Sequence, residues 1–327
     1  MKLLVALILA LAGIATAMLV TPYQGFKTET FVDIPHGTST SGIASELTRD
    51  GVIRYEWELW LARLINPSSK LQAGEYRFAT PASALDVFNR IARGDIYFFT
   101  FTVPEGSNIF DIGGALEAQG VLSSDDFLKA AENPALIRDL SAKARTLEGY
   151  LFPSTYRLSH KTTGTQLTKM MTDEFRKEWA KVSAGRNVDV RGTVTLASLV
   201  EKETAAADGR PLVASVFRNR LEQGMRLQCD PTTIYAALLD HRYSGKIHKS
   251  DLASANPYNT YENAGLPPGP IANPGAKSLE AALDPADTQF LYFVAKPEGG
   301  GHQFSATIAQ HEKAVIAYRH AAQRKAR

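Results

Sequence analysis

The chain has 327 residues, 44% of them hydrophobic, a length and composition suited to about two globular domains. Its 36 basic and 34 acidic side chains leave a net charge of +2, which lacks the basic excess of a nucleic-acid binder. The single cysteine, Cys229, excludes an intrachain disulfide and a cysteine-built zinc site, and reads as a lone buried thiol.

Lys2 precedes an uncharged run from Leu3 to Val20, and the next charge is Lys27. A helix over this run approaches the roughly 20 residues that cross a bilayer. A secretory signal peptide has the same features, with Ala15-Thr16-Ala17 as a small-residue cleavage site. The apolar run continues through Met18-Leu19-Val20, which favours an uncleaved anchor over residues 1–22. Either way the leading positive charge keeps the N-terminus inside and places the rest outside the cytoplasm.

An internal repeat follows. Val32-Asp33-Ile34-Pro35-His36-Gly37-Thr38 returns as Phe101-Thr102-Val103-Pro104-Glu105-Gly106-Ser107. At the same offset Ile43 matches Ile112, Leu47 matches Leu116, and Gly51-Val52-Ile53 matches Gly120-Val121-Leu122. Each copy predicts a strand, a Pro-x-Gly turn, a hydroxyl N-cap and an amphipathic helix closed by glycine. In the first copy a second helix is expected from about Tyr55 to Ile65, then a strand at Gly74–Phe78. That order resembles the LysM module, which binds glycans containing N-acetylglucosamine. The unit either binds glycan or only positions its neighbour, and both readings stay open.

Residues 111–184 read as mostly helical, broken near Leu147–Pro153. A helix opens the region after Arg191, and a loop-rich stretch runs from Gly224 to Pro285. Long loops in a helical domain usually carry function. A strand at Phe290–Val294 and a helix from Ile308 to Ala322 complete the pattern.

The helix Val194–Thr204 holds two acids. Val200, Leu199 and Leu196 precede Glu203 by three, four and seven positions, so Glu203 ends an apolar stripe. The same offsets from Glu201 give Ser198, Ala197 and Val194, a smaller and more polar face. An acid at the edge of an apolar surface has its ionised form disfavoured, which suits general acid catalysis. Periodicity alone favours the plainer reading, in which both glutamates form surface ion pairs with Lys202 or Arg218.

Ala197–Thr204 resembles the catalytic helix of the endolytic murein transglycosylases, the MltG or YceG-like family. Further segments match in the same order: Leu147–Pro153, Ser215–Leu221, Gly224–Thr232, Pro257–Tyr261, Gly265–Gly275, Tyr292–Ala295 and Gly301–Phe304. Together they cover nearly everything after residue 30. The resemblance puts the catalytic glutamate at Glu203, in agreement with the helical-face reading. The Glu203-Thr204 pair also resembles the Glu-Ser pair of lysozyme-like transglycosylases. Cys229 departs from the family, which often has threonine there.

The resemblance implies cleavage without water, one carboxyl group serving as acid and then base, and a 1,6-anhydromuramic product. Ordinary glycosidases need two carboxylates. Gln228, Asp230, Thr232, Tyr258, Asn259 and Tyr261 are the candidates for a sugar-binding cleft, their amides, hydroxyls and rings suiting a neutral, hydroxyl-rich ligand. Residues of these kinds also form turns. Glu148 is a further acid in a matched segment, either lining the cleft or capping the helix that follows. The seven histidines are scattered without metal-ligand spacing, so neither a metal nor any other cofactor is expected.

The expectation is an α+β protein: a membrane anchor (1–22), a LysM-like unit (29–98), a second related unit with connecting helices (99–190), and a lysozyme-like, mostly helical catalytic domain with a small β element (191–327). It would sit in the cytoplasmic membrane with its bulk in the periplasm, cutting nascent peptidoglycan strands beside wall synthases. Two alternatives remain: a hydrolytic muramidase, with Asp230 as second acid, and a glycan-binding scaffold in which Glu203 is structural.

Overall fold

In the computed structural model the described residues are 1–204, 207–296, 298 and 300–325. They form two compact units, Met1–Phe99 and Thr100–Arg327. Both mix helices with short strands, and among the described residues the strands form three two-stranded sheets.

The first unit begins with helix α1 (Lys2–Val20), which is long and apolar enough to cross a membrane. Its side chains are exposed almost throughout, but Leu19 at its end is buried in the unit's core. Then come β1 (Thr30–Ile34), α2 (Thr40–Arg49), α3 (Glu56–Ile65), β2 (Gly74–Phe78) and α4 (Ala84–Arg93). The Oγ of Ser39 caps α2 by accepting the Gly42 N–H, and Ser83 does the same for α4 through Asp86. Strands β1 and β2 pair antiparallel, with Thr30 opposite Phe78 and Ile34 opposite Gly74. Val32, Leu47, Leu59, Tyr76 and Phe88 bring one buried side chain from each element to a shared core.

The second unit takes in β3 (Phe99–Thr102), α5 (Ile109–Ala118), α6 (Ser124–Ala131), β4 (Thr155–Leu158), α7 (Gly164–Ser183) and α8 (Val190–Glu203). It continues with α9 (Arg210–Glu222), α10 (Asp230–Leu239), α11 (Lys249–Leu252), α12 (Ala276–Leu283), β5 (Tyr292–Ala295), β6 (His302–Ser305) and α13 (Ile308–Lys325). The sequence repeat is a repeat of structure. Helices α2 and α5 begin 69 residues apart, at Thr40 and Ile109, and end 69 apart, at Arg49 and Ala118. Each is followed by a second helix and a strand that pairs with the first strand of its copy.

Two details differ from the sequence reading. Strand β4 lies in the stretch expected to be helical; its four residues are too few for a periodic signal, and pairing with β3 makes the strand. The loop-rich stretch contains three helices, α10, α11 and α12. Pro231 sits in the first turn of α10, where its missing N–H costs nothing, and Tyr235, Ala236 and Ala237 bury its inner face.

Helix α8 lies at the centre of this unit. Every residue from Val194 to Val200 is buried, with α9 and α12 packed against it. Ser198 donates to Thr195 O at 2.7 Å and accepts the Ile271 N–H at 3.1 Å, which fixes the 265–275 loop to the helix. Gly149 is required in the adjoining segment: its φ is +86°, and a Cβ there would lie 2.4 Å from Pro270.

Candidate active site

The two acids near the end of α8 have different surroundings. Glu201 is buried in an ion pair with Arg210 at 3.0 Å, and its other oxygen accepts the Gly275 N–H at 2.9 Å. That arrangement ties both carboxyl oxygens of Glu201 into the fold. Glu203, the last helical residue, is half-buried and lines a cavity of about 310 Å³ with Phe217, Arg220, Leu227, Gln228, Asp230, Tyr261, Phe293 and His311.

Burial raises the Glu203 carboxyl above the ordinary carboxylate range. A hydrogen bond with the Cys229 thiol opposes this, Asp230 raises it further, and Arg220 lowers it. Glu203 also stands at a helix C-terminus, where backbone carbonyls disfavour a second negative charge. Cys229 is fully enclosed, and burial lifts its thiol well above its usual range. It stays a neutral thiol, unsuited to act as a nucleophile.

The far wall is built from backbone as much as from side chains. Arg220 donates to Leu291 O at 2.7 Å and Leu227 O at 2.8 Å, and its guanidinium lies 5.2 Å from the Tyr292 ring centre. His311 stacks on the same Tyr292 ring, with ring centres 5.2 Å apart and an angle of 21° between the planes. Burial lowers the pKa of the His311 imidazole, and Arg220 lowers it further. Gln228 occupies the left-handed region at φ +51°, a turn that few non-glycine residues adopt. Asp230, beside it, accepts from the Tyr261 hydroxyl at 2.5 Å.

Of the residues singled out in the sequence, Glu203, Gln228, Asp230 and Tyr261 thus meet in one cavity. Thr232 and Asn259 do not line it. Thr232 is buried, donating to Cys229 O at 2.6 Å and contacting the Thr260 hydroxyl at 2.8 Å. Asn259 donates to Leu252 O and Ser254 O and accepts from the Thr233 hydroxyl, closing its own loop. Their polar groups hold the 228–232 and 251–261 segments together, which shapes the cavity from behind.

Glu148 and Tyr258 border a separate small void of about 20 Å³. Tyr258 packs 5.1 Å from Tyr235. Glu148 is buried and accepts from Ile109 N, from the Tyr235 hydroxyl and from Asn273 Nδ2, each at 3.0 Å. Through Ile109 it accepts the first N–H of α5, a helix that precedes it in the chain and not the one that follows. Burial pushes its pKa up to about 8.

Sequence reasoning passed over Arg220, Phe217, Leu227, Phe293 and His311. The first four lie within family-matched segments, a signal that marks the segment without ranking its residues. His311 had no signal, because only the folding of α13 onto β5 brings it to the cavity. Among the described residues no group of three or more His, Cys, Asp or Glu side chains is placed to hold a metal ion.

A model of the YceG-like family matches residues 32–317. The chain belongs to the YceG-like family. This YceG-like chain is 34% identical over 311 residues to the endolytic murein transglycosylase of Bacillus subtilis, across 89% of this chain and 85% of the relative. The endolytic murein transglycosylase of Streptococcus pneumoniae is 28% identical over 322 residues, covering 87% of this chain and 57% of that longer relative. The crystal structure of a YceG-like protein from Listeria monocytogenes superposes with a TM-score of 0.58 at 32% identity, covering 88% of this chain and 99% of the other.

Proposed function

We propose that this chain is an endolytic murein transglycosylase that cuts peptidoglycan glycan strands with Glu203 as its only acid and base. The observation that carries the residue assignment is the half-buried Glu203 carboxyl in the cavity it shares with Asp230, Gln228 and Tyr261. The family and the names of its relatives support the reaction class.

In this mechanism Glu203 gives its proton to the glycosidic oxygen between N-acetylmuramic acid and N-acetylglucosamine, and the bond from C1 to that oxygen breaks. The substrate's N-acetyl oxygen steadies the electron-poor C1, doing the work of a second carboxylate. Glu203, now ionised and facing Arg220, takes the proton of the muramic 6-hydroxyl as that oxygen bonds to C1. The strand then ends in 1,6-anhydromuramic acid, no water is consumed, and Glu203 is protonated again.

Helix α1 would hold the chain in the cytoplasmic membrane with both units outside, next to enzymes that polymerise the strands. A LysM-like role for the first unit is supported by its strand-helix-helix-strand order and antiparallel strand pair. A lysozyme-like catalytic region from about residue 191 is supported by the Glu203-Thr204 pair at the end of α8.

One observation keeps the muramidase reading in view: Asp230 is a second carboxylate in the same cavity. Full-length protein in detergent, incubated with uncrosslinked glycan strands, separates the two through the product ends seen by mass spectrometry. Anhydro ends formed by the native chain and absent with Glu203→Gln support the transglycosylase. Reducing ends would establish hydrolysis, and no cleavage with strand binding retained would leave a scaffold. The full chain is needed because deleting residues 1–30 would remove the buried Leu19 from the first unit's core.

A further inference from the structure

Helix α3 is apolar on both sides. Leu59 and Ala62 face the core of the first unit, while Trp57, Trp60 and Leu64 on the outer side are 40%, 48% and 75% exposed. Positions 57, 60, 64 and 65 follow the spacing of one helical face, and no charged residue interrupts it. Tyr55 extends this face, stacking on Trp57 with ring centres 6.2 Å apart. Glu56, Glu58 and Arg63 lie between these two apolar faces, and among the described residues the outer face stays largely exposed. Large aromatic side chains are costly to leave in water unless a second surface takes them.

Its position names that surface. The end of α1 packs on α3 and α4, and Leu19 enters the core that Leu59 also lines. At the exit from α1, Arg54 donates to Pro22 O and lies over the Tyr23 ring, 4.8 Å from its centre. Arg54 immediately precedes Tyr55, so the aromatic face starts where the apolar helix ends. No flexible linker separates them, because Tyr23 is also paired with Ala82 through backbone hydrogen bonds. An anchor seated in a bilayer therefore carries α3 to the headgroup level, where tryptophan and tyrosine rings are most at home.

We infer that the outer face of α3, formed by Tyr55, Trp57, Trp60, Leu64 and Ile65, is a membrane-interface surface that lies on the bilayer holding α1. The inference rests on reading α1 as an uncleaved anchor. It adds a second attachment, which fixes the orientation of the first unit against the membrane.

The chain's three tryptophans provide the test, since Trp179 is buried in the second unit and serves as an internal reference. Full-length protein is reconstituted into phosphatidylcholine–phosphatidylglycerol vesicles and floated on a density gradient. Tryptophan emission is then compared between vesicles with and without bromine on the acyl chains near the headgroups. The expected result is co-flotation, at least a twofold drop in emission with brominated lipid, and loss of that drop in Trp57→Phe/Trp60→Phe. Leu64→Glu, an exposed change that leaves the core intact, should weaken the quenching. Failure to float overturns the anchor reading and the inference with it. Flotation without bromine quenching, but with strong quenching by iodide in the water phase, overturns the inference alone. So does quenching relieved by added glycan strands, which would assign the aromatic face to sugar.

Discussion

Arg210 holds Glu201 at 3.0 Å inside the protein, two residues before Glu203, which has no basic partner within ion-pair distance among the described residues. One turn of helix therefore presents two glutamates with opposite roles. Both Glu201 oxygens are engaged, one by a buried guanidinium and the other by a backbone N–H. Glu203 is left in a cavity where the proton is favoured, and that difference decides which acid is proposed to do chemistry.

Glu203→Gln should lower glycan cleavage by about 10²–10⁴-fold, the usual worth of a positioned general acid. Its melting temperature should be unchanged or higher, because the substitution removes a desolvated acid without breaking an ion pair. Product release by mass spectrometry and a thermal melt in the same detergent check both halves.

Glu201→Gln should do the reverse. It leaves Arg210 buried with only the half-exposed Glu105 at 3.5 Å. Breaking a buried pair by removing one partner costs about 3 kcal/mol or more. Thermal or urea unfolding should show that loss, while cleavage per folded molecule at low temperature stays within a few-fold of the native value.

The raised carboxyl of Glu203 sets a pH dependence for cleavage. The reaction starts from the protonated acid, so kcat/KM falls as pH rises through that raised pKa. A pH–rate profile in which activity instead rises over the same range would remove Glu203 as the initial acid. A required second carboxylate, as in a muramidase, would add a falling limb on the acid side.

Glu148 links pH to stability. Its folded pKa is about 8 against an ordinary 4.5, so the native state holds more protons than the unfolded chain between those values. Stability contributed by the protonated form is present at the low end of the window and lost as pH rises from about 5 to about 8. Melting temperatures across that range should decline for the native protein, and the slope should shrink in Glu148→Gln.

Cys229 should resist iodoacetamide in the folded protein and react only after denaturation, because its thiol is enclosed and held neutral. Rapid labelling of the native chain, with loss of activity, would show a cavity more open than the one described.

Much of this protein was determined locally along its sequence. The apolar run that became α1, the 69-residue repeat that became two strand-helix-helix-strand copies, and the stripe leading to Glu203 are all patterns of residues near one another in the chain. Local periodicity and capping report them directly. What only the tertiary structure decided is who meets whom. Four residues are too few for strand β4 to announce itself without β3. Nothing in the sequence distinguishes Asn259, whose amide is consumed by its own loop, from Tyr261, which reaches the cavity. Arg220 and His311 join Glu203 because α9, β5 and α13 pack together, and burial in that assembly, rather than residue type, raises the Glu203 carboxyl.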